Sequence, residues 1–286
     1  MKVAHLILAH HEPLQLKRLV DRLCCEEAVY FIHIDLKADI RVFTEVFIGY
    51  KQVYFIKKRV SITWASYSMV QATLNGFAEI KSAGLGVDYI NLLSGQDYLL
   101  QPIKNFHQFL KNHAGKAFMH CLDVNKEWTE AISRLEEYHL TNFRDFPGKY
   151  KIQYFINKLL PKRKMPENMV PVGRSQWFTI TYRQMEYILA KMEASPFIAR
   201  FFKLTWAPDE IIFQTLLFNS DYRQSIINNN LRYIDWSKKE KNPKLLVTED
   251  FQKIHESDCF FARKFDQNID QHIFKLIDES IGWQEA

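Results

Sequence analysis

Glycine and proline are scarce, nine of each in 286 residues, which excludes a collagen-like, linker-dominated or low-complexity chain. Four cysteines are too few for a disulfide framework. Two are adjacent, Cys24 and Cys25, and Cys121 and Cys259 stand far off, with no metal-type or redox-type spacing. A reducing compartment is the expectation. No apolar run approaches the roughly twenty residues of a membrane span, and Val3–Ala9 is too short for a signal peptide. A cytoplasmic location is expected, at most peripheral at the inner face of a membrane. Neither sign of charge dominates: 38 Lys and Arg against 33 Asp and Glu leave +5. That excess suits an anionic ligand or membrane surface, without the basic stripe of a nucleic-acid binder. Gly-x-Gly-x-x-Gly and Gly-x-x-x-x-Gly-Lys-Ser/Thr are both missing, so the two commonest phosphate cradles are excluded.

What is abundant is apolar surface: 47% hydrophobic residues, with 22 Phe and 13 Tyr, enough for a substantial core. Val3–Ala9 is a continuous apolar run of the kind that forms a strand buried on both faces. Pro13 suits a first helical turn, and Leu14, Leu16, Leu19, Val20 and Leu23 roughly follow a helical stripe. Strands are predicted at Val29–Ile34, Val53–Ile56, Tyr89–Leu93, Ser175–Thr181, Leu231–Trp236 and Cys259–Ala262. Helices are predicted at Ser68–Ile80, Arg183–Met192, from Pro208 onward and at Ile269–Ile281. The alternation implies an α/β fold with a mostly parallel central sheet and helices on both faces, in a single domain over 1–286.

In such sheets ligands gather at the carboxyl ends of strands, which here carry His10-His11, Asp35 and Ser94-Gly95-Gln96-Asp97. Side chains alternate along a strand, so His10 and His11 are expected on opposite sides, His10 in the cleft and no metal between them. Residues 141–164 interleave aromatics with bases, from Phe143 and Arg144 to Lys162-Arg163-Lys164. They read either as a solvated segment whose rings face the core or as an interfacial segment on anionic lipid or along an acceptor groove.

Eight segments in order carry a family resemblance: Ala9-His10, Ile32–Asp35, Trp64–Val70, Ile90–Tyr98, Gly173–Phe178, Pro208-Asp209-Glu210, Leu231–Trp236 and Phe261–Asp266. Together they resemble the core-2/I-branching β-1,6-N-acetylglucosaminyltransferases and peptide O-xylosyltransferases of glycosyltransferase family 14. The resemblance implies a GT-A-like nucleotide-sugar-binding fold, a UDP-sugar donor (N-acetylglucosamine or xylose), a glycan or lipid-linked oligosaccharide acceptor, inversion, and no divalent metal or other cofactor. It implies a donor-binding half over 1–125, an acceptor-binding and catalytic half over 126–286, and Glu210 as the catalytic base. Lys264 and Lys244 would steady the departing diphosphate, and His10, Asp35, Asp97 and the loop bearing Trp64, Ser66 and Ser68 would help hold the donor. Arg134, Ser175, Gln176, Trp177 and Asp209 would face the acceptor.

Glycosyl transfer needs a base for the acceptor hydroxyl and charge neutralisation for the leaving diphosphate. No Asp stands two positions from another, so the Asp-x-Asp that often holds a cation in this fold class is missing and lysines are expected to supply the charge. Burial against Trp206 and Trp177 is expected to raise the pKa of Glu210. The competing readings are a non-catalytic carbohydrate- or nucleotide-binding relative and, through residues 141–164, a nucleic-acid binder. The expected setting is surface-polysaccharide synthesis, with no nucleic-acid partner.

Overall fold

The computed structural model describes residues 1–283 except Arg144 and Lys239; Arg144, one base of the aromatic-basic segment, therefore lies outside the described residues. Twelve strands occur among the described residues: β1 (Val3–Ala9), β2 (Ala28–Ile34), β3 (Val53–Phe55), β4 (Tyr89–Ser94), β5 (Asp97–Leu99), β6 (Ala117–Met119), β7 (Leu122–Asp123), β8 (Val172–Gly173), β9 (Thr179–Thr181), β10 (Ile226–Asn228), β11 (Arg232–Ile234) and β12 (Phe261–Arg263). Seven form the central sheet in the order β10-β6-β9-β4-β1-β2-β3. The pairs of β1 with β2 and β4, of β2 with β3 and of β10 with β6 are parallel. Only β9, between β4 and β6, runs antiparallel. The expected mostly parallel α/β architecture is present.

The unbroken apolar run of β1 has a direct cause. Ala4, Leu6 and Leu8 enter one hydrophobic cluster while Val3, Ile7 and Ala9 enter the other, so both faces are covered. Helices Tyr67–Ala83 and Tyr182–Ala194 cover the first face through Val70, Phe77, Met185 and Ile188. Helices Pro13–Arg22, Ile103–Asn112 and His272–Ser280 cover the second through Leu16, Leu19, Phe106, Leu110 and Phe274. Local chemistry sets their starts. Pro13 occupies a first turn, Ser66 accepts from Ser68 N at 3.2 Å, and Thr181 closes a capping box with Gln184. No described helix is long and apolar enough to cross a membrane.

Several predicted elements are shorter than expected, among them Leu231–Trp236, which pairs only over Arg232–Ile234, and two beside Glu210. Of Ser175–Thr181 only Thr179–Thr181 joins the sheet, because Ser175 Oγ accepts from Trp177 N and the Ser175 carbonyl accepts from the Gln214 amide, which folds Ser175–Phe178 into a turn. The helix expected from Pro208 begins only at Ile212; Pro208–Glu210 is a single 3-10 turn, bounded by Ala207 at φ +47° and Ile211 at φ −126°. Glu210 therefore sits on a turn rather than inside a helix.

A small second sheet, β11-β12-β5, lies beside the carboxyl end of β4. Its antiparallel β12–β5 pair sets Arg263 opposite Asp97 and brings the following Lys264 to the strand ends of the main sheet.

Candidate active site

Glu210 is held from two sides. Its carboxylate accepts from Arg134 Nη1 at 2.6 Å and keeps 28% of its side-chain surface exposed, and its backbone carbonyl accepts from Arg174 N at 2.9 Å. The Arg134 guanidinium lies between Trp128, 4.8 Å from that ring centre, and Trp206 at 4.4 Å, which fixes the fork that grips Glu210. Trp206 in turn meets Trp64 edge-on at 5.4 Å. Burial pushes the Glu210 pKa above the usual carboxylate range, against the opposing pull of Arg134, Arg174 and Arg263. Asp209 is buried beside it with Oδ1 unpartnered among the described residues, and burial followed by the Glu210 charge drives its pKa up as well.

Three residues around this turn hold positive φ without being glycine: Ala65 at +57°, Arg174 at +132° and Ala207 at +47°. Each such conformation costs on the order of 1–3 kcal/mol and persists only where its surroundings dictate it. The Ala207 N–H donates to the Ala65 carbonyl at 2.9 Å, which ties the Trp64 loop to the Glu210 turn. Gly173 explains the tightness. A Cβ there would lie 2.2 Å from the Glu210 carbonyl oxygen and 3.0 Å from the Ile211 Cα, both backbone atoms that cannot swing away. Gly173→Ala is accordingly expected to shift the Glu210 turn and cut kcat roughly tenfold to a hundredfold, with donor affinity unchanged. Steady-state kinetics beside UDP titration would check it; a kcat equal to the parent's would refute the contact's importance.

The strand ends form a second cluster. Burial and the neighbouring His11 lower the pKa of His10; Asp35 opposes this, and Lys264 and Lys37 add to it, so His10, Asp35 and Lys264 share one electrostatic neighbourhood. Lys264 is half-buried, and its pKa is lowered by burial and by Arg263; it has no carboxylate ion-pair partner among the described residues. Its segment is fastened to the β4 loop, with Phe265 N donating to Gln96 O at 2.9 Å and Gln15 bridging Gly95 O and Phe265 O at 3.2 Å each. His10 and His11 depart from expectation: their rings pack edge-on 4.2 Å apart, because β1 ends at Ala9 and strand alternation ends with it.

The remaining predicted residues divide by what already occupies them. Asp35 accepts from Lys37 N at 2.9 Å and Ile62 N at 3.3 Å, which orders the loop leading to Trp64. Asp97 is 1% exposed, accepts from Ser94 N and pairs with Arg263 at 3.0 Å, so its carboxylate faces the interior. Lys244 is paired with Asp250 at 2.5 Å, although Leu246 N donates to Lys264 O and places the two lysine segments side by side. Ser66 and Ser68 bond to each other at 2.6 Å at the helix start, while Trp64 projects into solvent. Ser175 accepts from Asn230 at 3.1 Å, and the buried Gln176 amide nitrogen has no partner among the described residues. Trp177 carries the Arg263 guanidinium 4.3 Å above its ring. Of the two expected walls, Trp206 reaches Glu210 through Arg134, and Trp177 only through Arg263.

A family model described as Core-2/I-branching enzyme matches residues 3–256. The chain belongs to that family. Human xylosyltransferase 2 is 24% identical over 97% of this chain and 33% of its own length. A xylosyltransferase from Ciona intestinalis is 21% identical over 97% of this chain and 34% of its own. The chain thus spans about a third of the length of the curated relatives it matches. Among solved structures, mouse xyloside xylosyltransferase 1 in its apo form covers 91% of this chain and 97% of its own, at 10% identity and a TM-score of 0.41.

Sequence reasoning missed Arg263 and Arg174 as charged neighbours of Glu210 in this Core-2/I-branching chain. Both stand in segments quoted for the resemblance, next to Lys264 and Gly173, but the charge each brings to Glu210 depends on a partner far along the chain.

Proposed function

We propose that the chain is a glycosyltransferase that moves a sugar, xylose or N-acetylglucosamine, from a UDP-sugar to a hydroxyl of a glycan or lipid-linked oligosaccharide, with inversion and without a divalent metal. The observation that carries this reading is Glu210: a half-shielded carboxylate of raised proton affinity, fixed by Arg134 and Gly173 on a strained turn. In the transfer the acceptor oxygen attacks the anomeric carbon, the bond from that carbon to the diphosphate oxygen breaks on the opposite side, and the acceptor proton passes to Glu210 Oε. Asp209 shapes the proton affinity of this base from behind, and Arg134 orients it.

Residues of 1–125 line the donor side, joined by Lys264 from the carboxyl-terminal half. The freely disposed Lys264 ammonium is placed to meet the charge that develops on the leaving UDP. Lys244, already paired with Asp250, is the lesser contributor. The reading of metal independence rests on the missing Asp-x-Asp and on Lys264 as the positive charge that would take a cation's place.

Thermal melting tests the donor class. At UDP about a hundredfold above Kd, Tm should rise by about 3–5 °C, and EDTA should leave the rise intact. A shift with GDP but not UDP would overturn the donor assignment, and a shift that requires Mn²⁺ would overturn metal independence.

A further inference from the structure

Helix Lys149–Leu159 is built inside out. Its protein-facing side is polar: Gln153 Oε1 accepts from Leu140 N at 2.9 Å, Asn157 Oδ1 accepts from Tyr138 N at 2.7 Å, and the Asn157 amide donates to Tyr138 O at 3.0 Å. Its outer side is apolar. Tyr150 (76% exposed), Ile152, Tyr154, Phe155 (57%), Leu159 (78%) and Leu160 all stand in solvent. A surface helix normally turns its apolar stripe to the core, and clustered exposed rings of this kind mark an interaction face. Of the two readings that the sequence left open for these aromatics, the structure excludes the core-facing one.

The charge around the face selects its occupant. From Phe146 to Pro166 the chain holds no Asp or Glu; Lys151, Lys158 and Lys164 are exposed without a carboxylate partner among the described residues, while Lys162 pairs with Glu136. Arg163 is not among the free cations: its guanidinium donates to the carbonyls of Glu137, Phe201 and Leu204 and lies 3.9 Å over Phe201, so it staples the segment to the body. An apolar, Tyr-bearing face rimmed by free lysines fits the boundary between headgroups and acyl chains of an anionic bilayer.

We infer that helix Lys149–Leu159 lies flat on an anionic membrane, its aromatic and leucine side chains inserted between acyl chains and its lysines on acidic headgroups. This docking is independent of the transfer chemistry. Its consequence for the acceptor rests on the proposed function: the loop the helix grips, residues 138–140, follows the helix bearing Arg134, and Arg163 clasps the Leu204–Thr205 loop that leads to Trp206. Docking would bring the acceptor side of the Glu210 site close to the lipid surface, as a lipid-linked acceptor requires.

Co-sedimentation tests the inference without any activity. The full chain should pellet with phosphatidylcholine–phosphatidylglycerol vesicles and not with phosphatidylcholine alone. Phe155→Ser/Leu159→Ser should weaken partitioning at least about tenfold, Lys151→Glu/Lys158→Glu by a similar factor, and added salt should mimic the second pair only. The four side chains are exposed, so both variants should melt like the parent; if the serine pair does not fold, the lysine pair and the salt series decide. No sedimentation with anionic vesicles, or sedimentation that neither pair reduces, overturns the inference. So does a parent dimer that dissolves in the serine pair while vesicles fail to bind, which would assign the face to a second copy of the chain.

Discussion

Glu210→Gln is expected to lower kcat by about a thousandfold, within the range general-base removal usually produces, while UDP affinity stays within twofold of the parent value. Glutamine preserves shape and can still accept from Arg134, so the fold and the turn against Gly173 survive; only the ability to take a proton is gone. The pH profile supplies an independent readout. The raised pKa of Glu210 means that kcat/KM of the parent should fall as pH drops through a value above the ordinary carboxylate range, because the base becomes protonated. The adjoining Asp209, also raised, shares in that titration, so the limb belongs to the pair. In Glu210→Gln the residual rate should lose this acid limb. A variant that keeps more than a tenth of the parent rate would remove Glu210 from the role of base. A parent that binds UDP but never turns over would identify a binding-only relative.

Lys264→Ala should cost about 10²–10³ in kcat/KM, the range seen when a group stabilising developing charge is removed from a partly buried site. Unlike the base substitution, it should also weaken UDP binding. The physical reason is that the ammonium group is half-buried, has no carboxylate ion-pair partner among the described residues and is pushed by Arg263, so an incoming diphosphate relieves an existing electrostatic cost. Lys244→Ala provides the comparison. Its ammonium is already neutralised by Asp250, and the loss should be much smaller. Tritration of UDP by calorimetry, together with kinetics on all three proteins, measures both effects. Equal losses at Lys244 and Lys264, or none at Lys264, would show that the leaving group is stabilised elsewhere.

The reach of the sequence is clearest at β1 and its neighbours. A short apolar run without strict alternation, bounded by turn residues, fits a strand covered on both sides, and Val3–Ala9, Val29–Ile34 and Tyr89–Leu93 were legible for that reason. The polar clusters that follow them had to lie at carboxyl ends. Ser175–Phe178 was misread because an apolar-aromatic stretch satisfies a strand pattern, and the side-chain bonds from Gln214 and Asn230 that fold it into a turn come from elsewhere in the chain. The side-by-side His10 and His11 rings escaped notice because alternation holds only while a strand lasts.

The sequence by itself determined the α/β layering, the absence of Asp-x-Asp, and the ordered segments that contain Glu210 and Lys264, since burial periodicity and motif spacing are properties of neighbouring residues. Tertiary structure alone decided which charges are free and which are occupied: Lys264 against Lys244, and Glu210 gripped by Arg134 from 76 positions away. It also decided that Gly173 is the space into which the Glu210 turn fits, and that one helix turns its rings outward. Each of these depends on where separate elements cross, and a linear pattern carries no information about a crossing until the chain has folded.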